Sequence, residues 1–253
     1  MIHTTGQVIR EICEICGQNL HPKLQLVTLI LHSSFFIPLN TISLLHTLPR
    51  VFADRPSLPS SDIWKQDATL ERGHLYLIEA ASGTGKSSLC SFLIGYRQDY
   101  EGKILFDGSD IHEFCTYDWT QLRQRSLSTM FQELRLFPEL TAWENVQIKN
   151  RLTNHKSDAD ICAWFEALGI ADKREVKLAQ MSFGQQQRVA LIRALCQPFD
   201  FLLADEPVSH LDADNTAAMG ELIMNEARSQ GAGVIITSIG YHMDLPYDKV
   251  FKL

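Results

Sequence analysis

The stretch Ala80-Ala81-Ser82-Gly83-Thr84-Gly85-Lys86-Ser87 constrains the fold of this chain more than any other feature. Directly before it, Leu75-Tyr76-Leu77-Ile78 carries no polar face, the pattern of a strand buried on both sides. Directly after it, an apolar helix is predicted over residues 86–96. A glycine-rich loop between such a strand and helix gathers unpaired N–H groups at one point. Gly83 and Gly85 allow the tight turns that aim successive N–H groups at phosphate oxygens. Lys86 adds a positive charge between β- and γ-phosphates, and the Ser87 hydroxyl is suited to Mg²⁺. Every fixed position of G-x-x-x-x-G-K-[ST] is matched except the first, where Ala80 stands for glycine; alanine is tolerated there if its φ stays negative. The predicted nucleotide-binding set is Ala80, Ala81, Ser82, Gly83, Thr84, Gly85, Lys86, Ser87 and Ser88.

A second buried run, Phe201-Leu202-Leu203-Ala204, ends in Asp205-Glu206. Ligands of open α/β sheets bind at the carboxyl ends of strands, so this acid pair is placed to meet the phosphates. Asp205 is predicted to serve the metal and Glu206 to polarise an attacking water as general base.

The rest of the chain alternates short apolar runs with polar turns. Strands are predicted over residues 42–52, 63–70, 103–106 and 233–237, and helical periodicity runs through 136–177. The alternation implies a doubly wound, mainly parallel sheet with helices on both faces. Residues 1–39 lack this rhythm. They read as a docking extension, a disordered tail or sequence upstream of the true start, with the last two favoured. The pair Cys13 and Cys16 lacks the two further ligands that a zinc site needs. The most apolar stretch, 24–39, is too short and too interrupted to cross a membrane. A net charge of −7 argues against general nucleic-acid binding, and scattered cysteines suit a reducing cytosol.

Between the two chemical elements lies Met181-Ser182-Phe183-Gly184-Gln185-Gln186-Gln187-Arg188, continued by Val189-Ala190 and Arg193-Ala194-Leu195. This resembles the L-S-G-G-Q signature of the ABC ATPases, and with the two motifs above the resemblance covers about residues 42–253. It implies an ATP-binding, ATP-hydrolysing domain of the P-loop type: an α/β core at 40–253, a small antiparallel β portion at its start and a helical lobe inserted at about 133–185. The implied ligands are ATP and Mg²⁺. The implied partners are a second ATPase subunit, a homodimer, and a transmembrane permease that holds the protein at the cytoplasmic face of a membrane. No nucleic-acid partner is expected.

The resemblance also assigns residues. Ser182, Phe183, Gly184 and Gln185 would act on the other subunit's nucleotide, Ser182 and Gly184 by contacting its γ-phosphate, and Asp212 would reach across the dimer. Gln132 matches a glutamine that senses Mg²⁺, and Phe52 falls near the aromatic that stacks on adenine, with Trp64 as competitor. The stretch 136–146 is closest in wording to lipoprotein-release, macrolide-export and cell-division ATPases. Phe183 departs from the family's glycine, and Ser238 stands where the family has a catalytic histidine. A low-turnover dimerisation module and a soluble ATPase unconnected with transport are the alternatives.

Overall fold

The computed structural model describes residues 38–53 and 60–253. Cys13, Cys16 and most of the apolar stretch 24–39 lie outside the described residues, as do residues 54–59. Leu39–Leu253 forms one compact unit.

Two sheets share this unit. The four-stranded sheet has the order β2-β1-β4-β5, with β1 Thr41–Pro49, β2 Asp67–Glu71, β4 Tyr100–Phe106 and β5 Ser109–Asp110, all antiparallel. The five-stranded sheet is β6-β7-β8-β3-β9 and wholly parallel. Its strands are β3 Leu75–Glu79, β6 Leu127–Met130, β7 Phe201–Asp205, β8 Gly233–Ser238 and β9 Lys249–Lys252. The helices are α1 Lys86–Leu93, α2 Thr116–Arg125, α3 Ala142–Asn150, α4 Asp158–Ala167, α5 Phe183–Leu195 and α6 Ala213–Gln230.

The unbroken apolar character of the central strands has a direct cause. Leu75 and Leu77, Leu202 and Ala204, Val234 and Ile236 point into one apolar layer, with α3, α4, α5 and α6. Tyr76 and Ile78, Phe201 and Leu203, and Ile235 point into the other, with α1 and the antiparallel sheet. Alternate residues thus enter opposite layers, and neither face meets water.

Several predicted boundaries move, each for a visible reason. β1 ends at Pro49, and residues 50–52 form a turn of 3-10 helix. The strand expected from residue 63 begins at Asp67, because Ser61 Oγ accepts from the N–H groups of Ile63 and Trp64 and closes a turn instead. The first helix stops at Leu93 rather than 96. Gly95 (φ +69°) follows, where a Cβ would lie 2.4 Å from Trp119. The span 136–177 is not one periodic stretch but two capped helices, α3 and α4, joined by turns. Their caps are Thr141 with Glu144 and Ser157 with Asp160, each pair bonding reciprocally to the other's backbone N–H.

Candidate active site

Because the five strands are parallel, all their carboxyl ends lie on one edge, and register brings the key residues level. Glu79 pairs with Ser238 and Asp205 with Thr237. The loop after β3, the acid pair after β7 and the turn after β8 therefore meet. The loop start is tied down directly: Ala80 N donates to Ser238 O at 2.9 Å. Ala80 is not left-handed, so the missing glycine costs no strain.

Gly83 (φ +80°) and Gly85 (φ +100°) both take the left-handed turns expected of them. Their surroundings differ. A Cβ on Gly83 meets nothing within 4 Å, whereas on Gly85 it would lie 2.8 Å from Phe52 Cε2 and 3.1 Å from Trp64 Cζ2. Trp64 also fixes the loop by donating from Nε1 to Thr84 O at 2.8 Å. Gly85→Ala is therefore expected to cost more than the roughly 1–2 kcal/mol of left-handed strain that Gly83→Ala would incur. Denaturant midpoints of the two variants measure the difference, and equal midpoints would remove the ring contact as a constraint.

At the head of α1, Lys86 turns inward. Its Nζ lies 2.6 Å from Asp205 Oδ1 and 2.7 Å from Glu206 Oε1. Burial works against the ammonium, but hydrogen bonds and charge from Asp205 and Glu206 outweigh it and raise the pKa above the ordinary lysine value. Lys86 is thus charged at neutral pH. Asp205 Oδ1 accepts a second bond, from Thr237 Oγ1 at 2.5 Å. Glu206 stands one residue past the strand in the left-handed region, φ +48°, and its N–H donates to Thr237 O at 3.1 Å. That backbone turn gives Glu206 an orientation which strand alternation alone would not. Ser87 is exposed on the first turn of α1, and Gln132 is exposed on the turn after β6, at the same sheet edge.

Ser182 caps α5, its Oγ accepting from Gln185 N while Gln185 Oε1 accepts from Ser182 N. Phe183 is exposed, its ring edge-on to His210 with centroids 4.7 Å apart. Asp212 caps α6, and its bonds from Asn215 backbone and side chain hold its carboxyl below the usual carboxylate range.

Two assignments meet an unfavourable environment. Phe52 is only 4% exposed and Trp64 5%, so both rings are packed against the loop rather than open beside it. Ser238 is buried too, and its hydroxyl donates to Tyr241 O, which commits its proton to the loop it closes. His242 is exposed, edge-on to Tyr247. Thr237, which holds Asp205, was not anticipated: in the sequence it is one more β-branched residue in an apolar strand. Cys90 also lies against Asp205 and Thr237, and burial pushes its thiol well above the ordinary range, leaving it protonated.

The profile of the ABC transporter family matches residues 65–209. The ABC transporter ATP-binding protein YtrE of Bacillus subtilis (strain 168) is 32% identical over 194 residues, 73% of this chain and 84% of that protein. The lipoprotein-releasing system ATP-binding protein LolD of Shewanella oneidensis is 31% identical over 175 residues, 68% of this chain and 76% of that protein. A dimeric structure of the bacterial ABC transporter cassette MJ0796 shares the fold at TM-score 0.63 and 24% identity, covering 78% of this chain and 87% of that one. Among the described residues no helix is long and apolar enough to cross a membrane. The chain belongs to the ABC transporter family, as an ATP-binding subunit with the cassette fold and ATPase activity.

Proposed function

We propose that loop 80–88 holds the triphosphate of ATP and that Glu206 is the base that drives its hydrolysis. The observation that carries this is the meeting of Lys86 with Asp205 and Glu206, at 2.6 and 2.7 Å, on the carboxyl edge of a parallel sheet. The ammonium is neutralised by the two carboxylates. A triphosphate on the loop offers it stronger anionic partners, and Asp205 and Glu206 are then freed for metal and water.

The side chains of Ser87, Gln132 and Asp205 are all oxygen donors, the type that Mg²⁺ takes. Among the described residues no three His, Cys, Asp or Glu side chains form a metal cage. Mg²⁺ keeps part of its water and is commonly held by few protein groups together with substrate phosphates. Bound there, Mg²⁺ would neutralise charge on the β- and γ-phosphates.

Ser182, Phe183, Gly184 and Gln185 sit at the amino end of a 13-residue helix, a favourable place for an anion. In our reading they serve the nucleotide of a second copy, with Asp212 at the same interface. The MJ0796 cassette, which shares the fold, is dimeric in its solved structure, and that supports a second copy as the partner. The pair would drive a membrane-embedded permease from its cytoplasmic side, as the transporter names of the relatives suggest. Adenine stacking by Phe52 requires its ring to leave the core, and γ-phosphate contact by Ser238 requires it to release Tyr241. The second requirement favours slow turnover.

The test is ATP binding and phosphate release by the purified chain, with Mg²⁺ and with the metal chelated. Metal-dependent release is expected, together with a shift to dimer on size-exclusion chromatography when ATP is bound but not cleaved. A chain that stays monomeric with bound ATP would overturn the shared-site reading.

A further inference from the structure

Glu206 adopts a backbone conformation that a non-glycine residue holds only when its surroundings impose it, φ +48°. Upstream, its N–H is bonded to Thr237 O in the neighbouring strand. Downstream, the restraint is a side chain. Gln187, one turn into α5 and 1% exposed, donates from Nε2 to Pro207 O at 3.3 Å and to Ser209 Oγ at 3.4 Å. The carbonyl of Pro207, directly after Glu206, is therefore held by the helix that Ser182 caps.

The same amide is poorly matched to its pocket. Gln187 Oε1 is buried with no hydrogen-bond partner among the described residues. A buried unpaired acceptor costs about 1–3 kcal/mol, so an apolar side chain of the same length would suit stability at least as well. What the amide provides, and a thioether cannot, is the bond to Pro207.

We infer that Gln187 is a positioning residue for Glu206: it fixes the left-handed turn that points the carboxylate at the attacking water. This rests on the reading of Glu206 as the base. It adds that the start of α5 and the loop 206–209 are mechanically one piece. A second contact supports the join, since Phe183 at the start of α5 meets His210, the residue directly after that loop, edge-on. Gln187 itself touches no reacting atom.

Gln187→Met keeps length and volume and removes the donor. In steady-state hydrolysis by the purified chain it is expected to lower kcat by roughly 10- to 100-fold, the scale of a displaced catalytic group. KM for ATP and the melting temperature should stay close to those of the parent. The decisive comparison is a cycle with Glu206→Gln. If Gln187 acts through the carboxylate, adding Gln187→Met to Glu206→Gln costs nothing further. Full additivity, or an unchanged kcat in the single variant, overturns the inference. Should Gln187→Met not fold, Gln187→Asn, one methylene too short to reach Pro207, answers the same question. Glu206→Gln alone tests the underlying reading: if it hydrolyses at the parent rate, the base assignment fails, whatever Gln187 does.

Discussion

Lys86→Ala is expected to abolish ATP binding at concentrations that saturate the parent. Two effects add. The β- and γ-phosphates lose a charged hydrogen-bond donor, worth about 1.5–3 kcal/mol or roughly 10- to 150-fold in affinity. The change also strips the counter-charge from Asp205 and Glu206, both of which lie within 2.7 Å of the ammonium. Two partly buried carboxylates then face the incoming phosphates uncompensated, which raises the penalty further. Equilibrium titration with ATP is the measurement. An affinity equal to that of the parent would mean the loop does not cradle phosphate.

Glu206→Gln should separate binding from chemistry. The amide has the shape of the carboxylate and can still accept from Lys86, but it cannot take a proton from water. Hydrolysis should fall by roughly 10² to 10⁴, the usual worth of a general base. ATP affinity should hold or improve, because one negative charge no longer faces the γ-phosphate. The ATP-bound dimer should then persist on size-exclusion chromatography while the parent returns to monomer. Asp205 differs in kind, being held by Thr237 and Lys86 together. A Glu206→Gln protein with parental turnover would transfer the base role elsewhere.

How much of this was legible depends on the range of the forces involved. The loop 80–87 and the acid pair could be read because their chemistry is local: glycines at fixed spacing, one lysine, one strand end. The buried strands β3, β7 and β8 announced themselves as unbroken apolar runs because they face two apolar layers. β6 and β9 did not. β6 has four residues, and β9 reads Lys-Val-Phe-Lys, with a single buried residue on a sheet edge. α2 was also missed: its mean character is polar, and only Trp119 is buried. Bonds between distant segments leave no local pattern. The turn at 61–66 depends on a Ser61 cap, and the shortened α1 on Trp119 pressing against Gly95. Gln187 stands inside the signature-like segment, yet its bond to Pro207 joins positions 20 residues apart and belongs to the tertiary structure.

The strand order carries a consequence for how the protein is made. β3 ends at residue 79, but both of its sheet neighbours, β8 and β9, come from residues 233–252. Chains grow from the amino end, so the strand that leads into loop 80–88 must wait until β8 and β9, which begin at residues 233 and 249, are made before either flank exists. Contacts this remote in sequence close late and fold slowly. Until residue 238 emerges, Ala80 lacks its tether and Asp205 its threonine. A nascent chain therefore carries the whole loop before the bonds that fix it can form, and its apolar central strands stay open to other contacts for that interval.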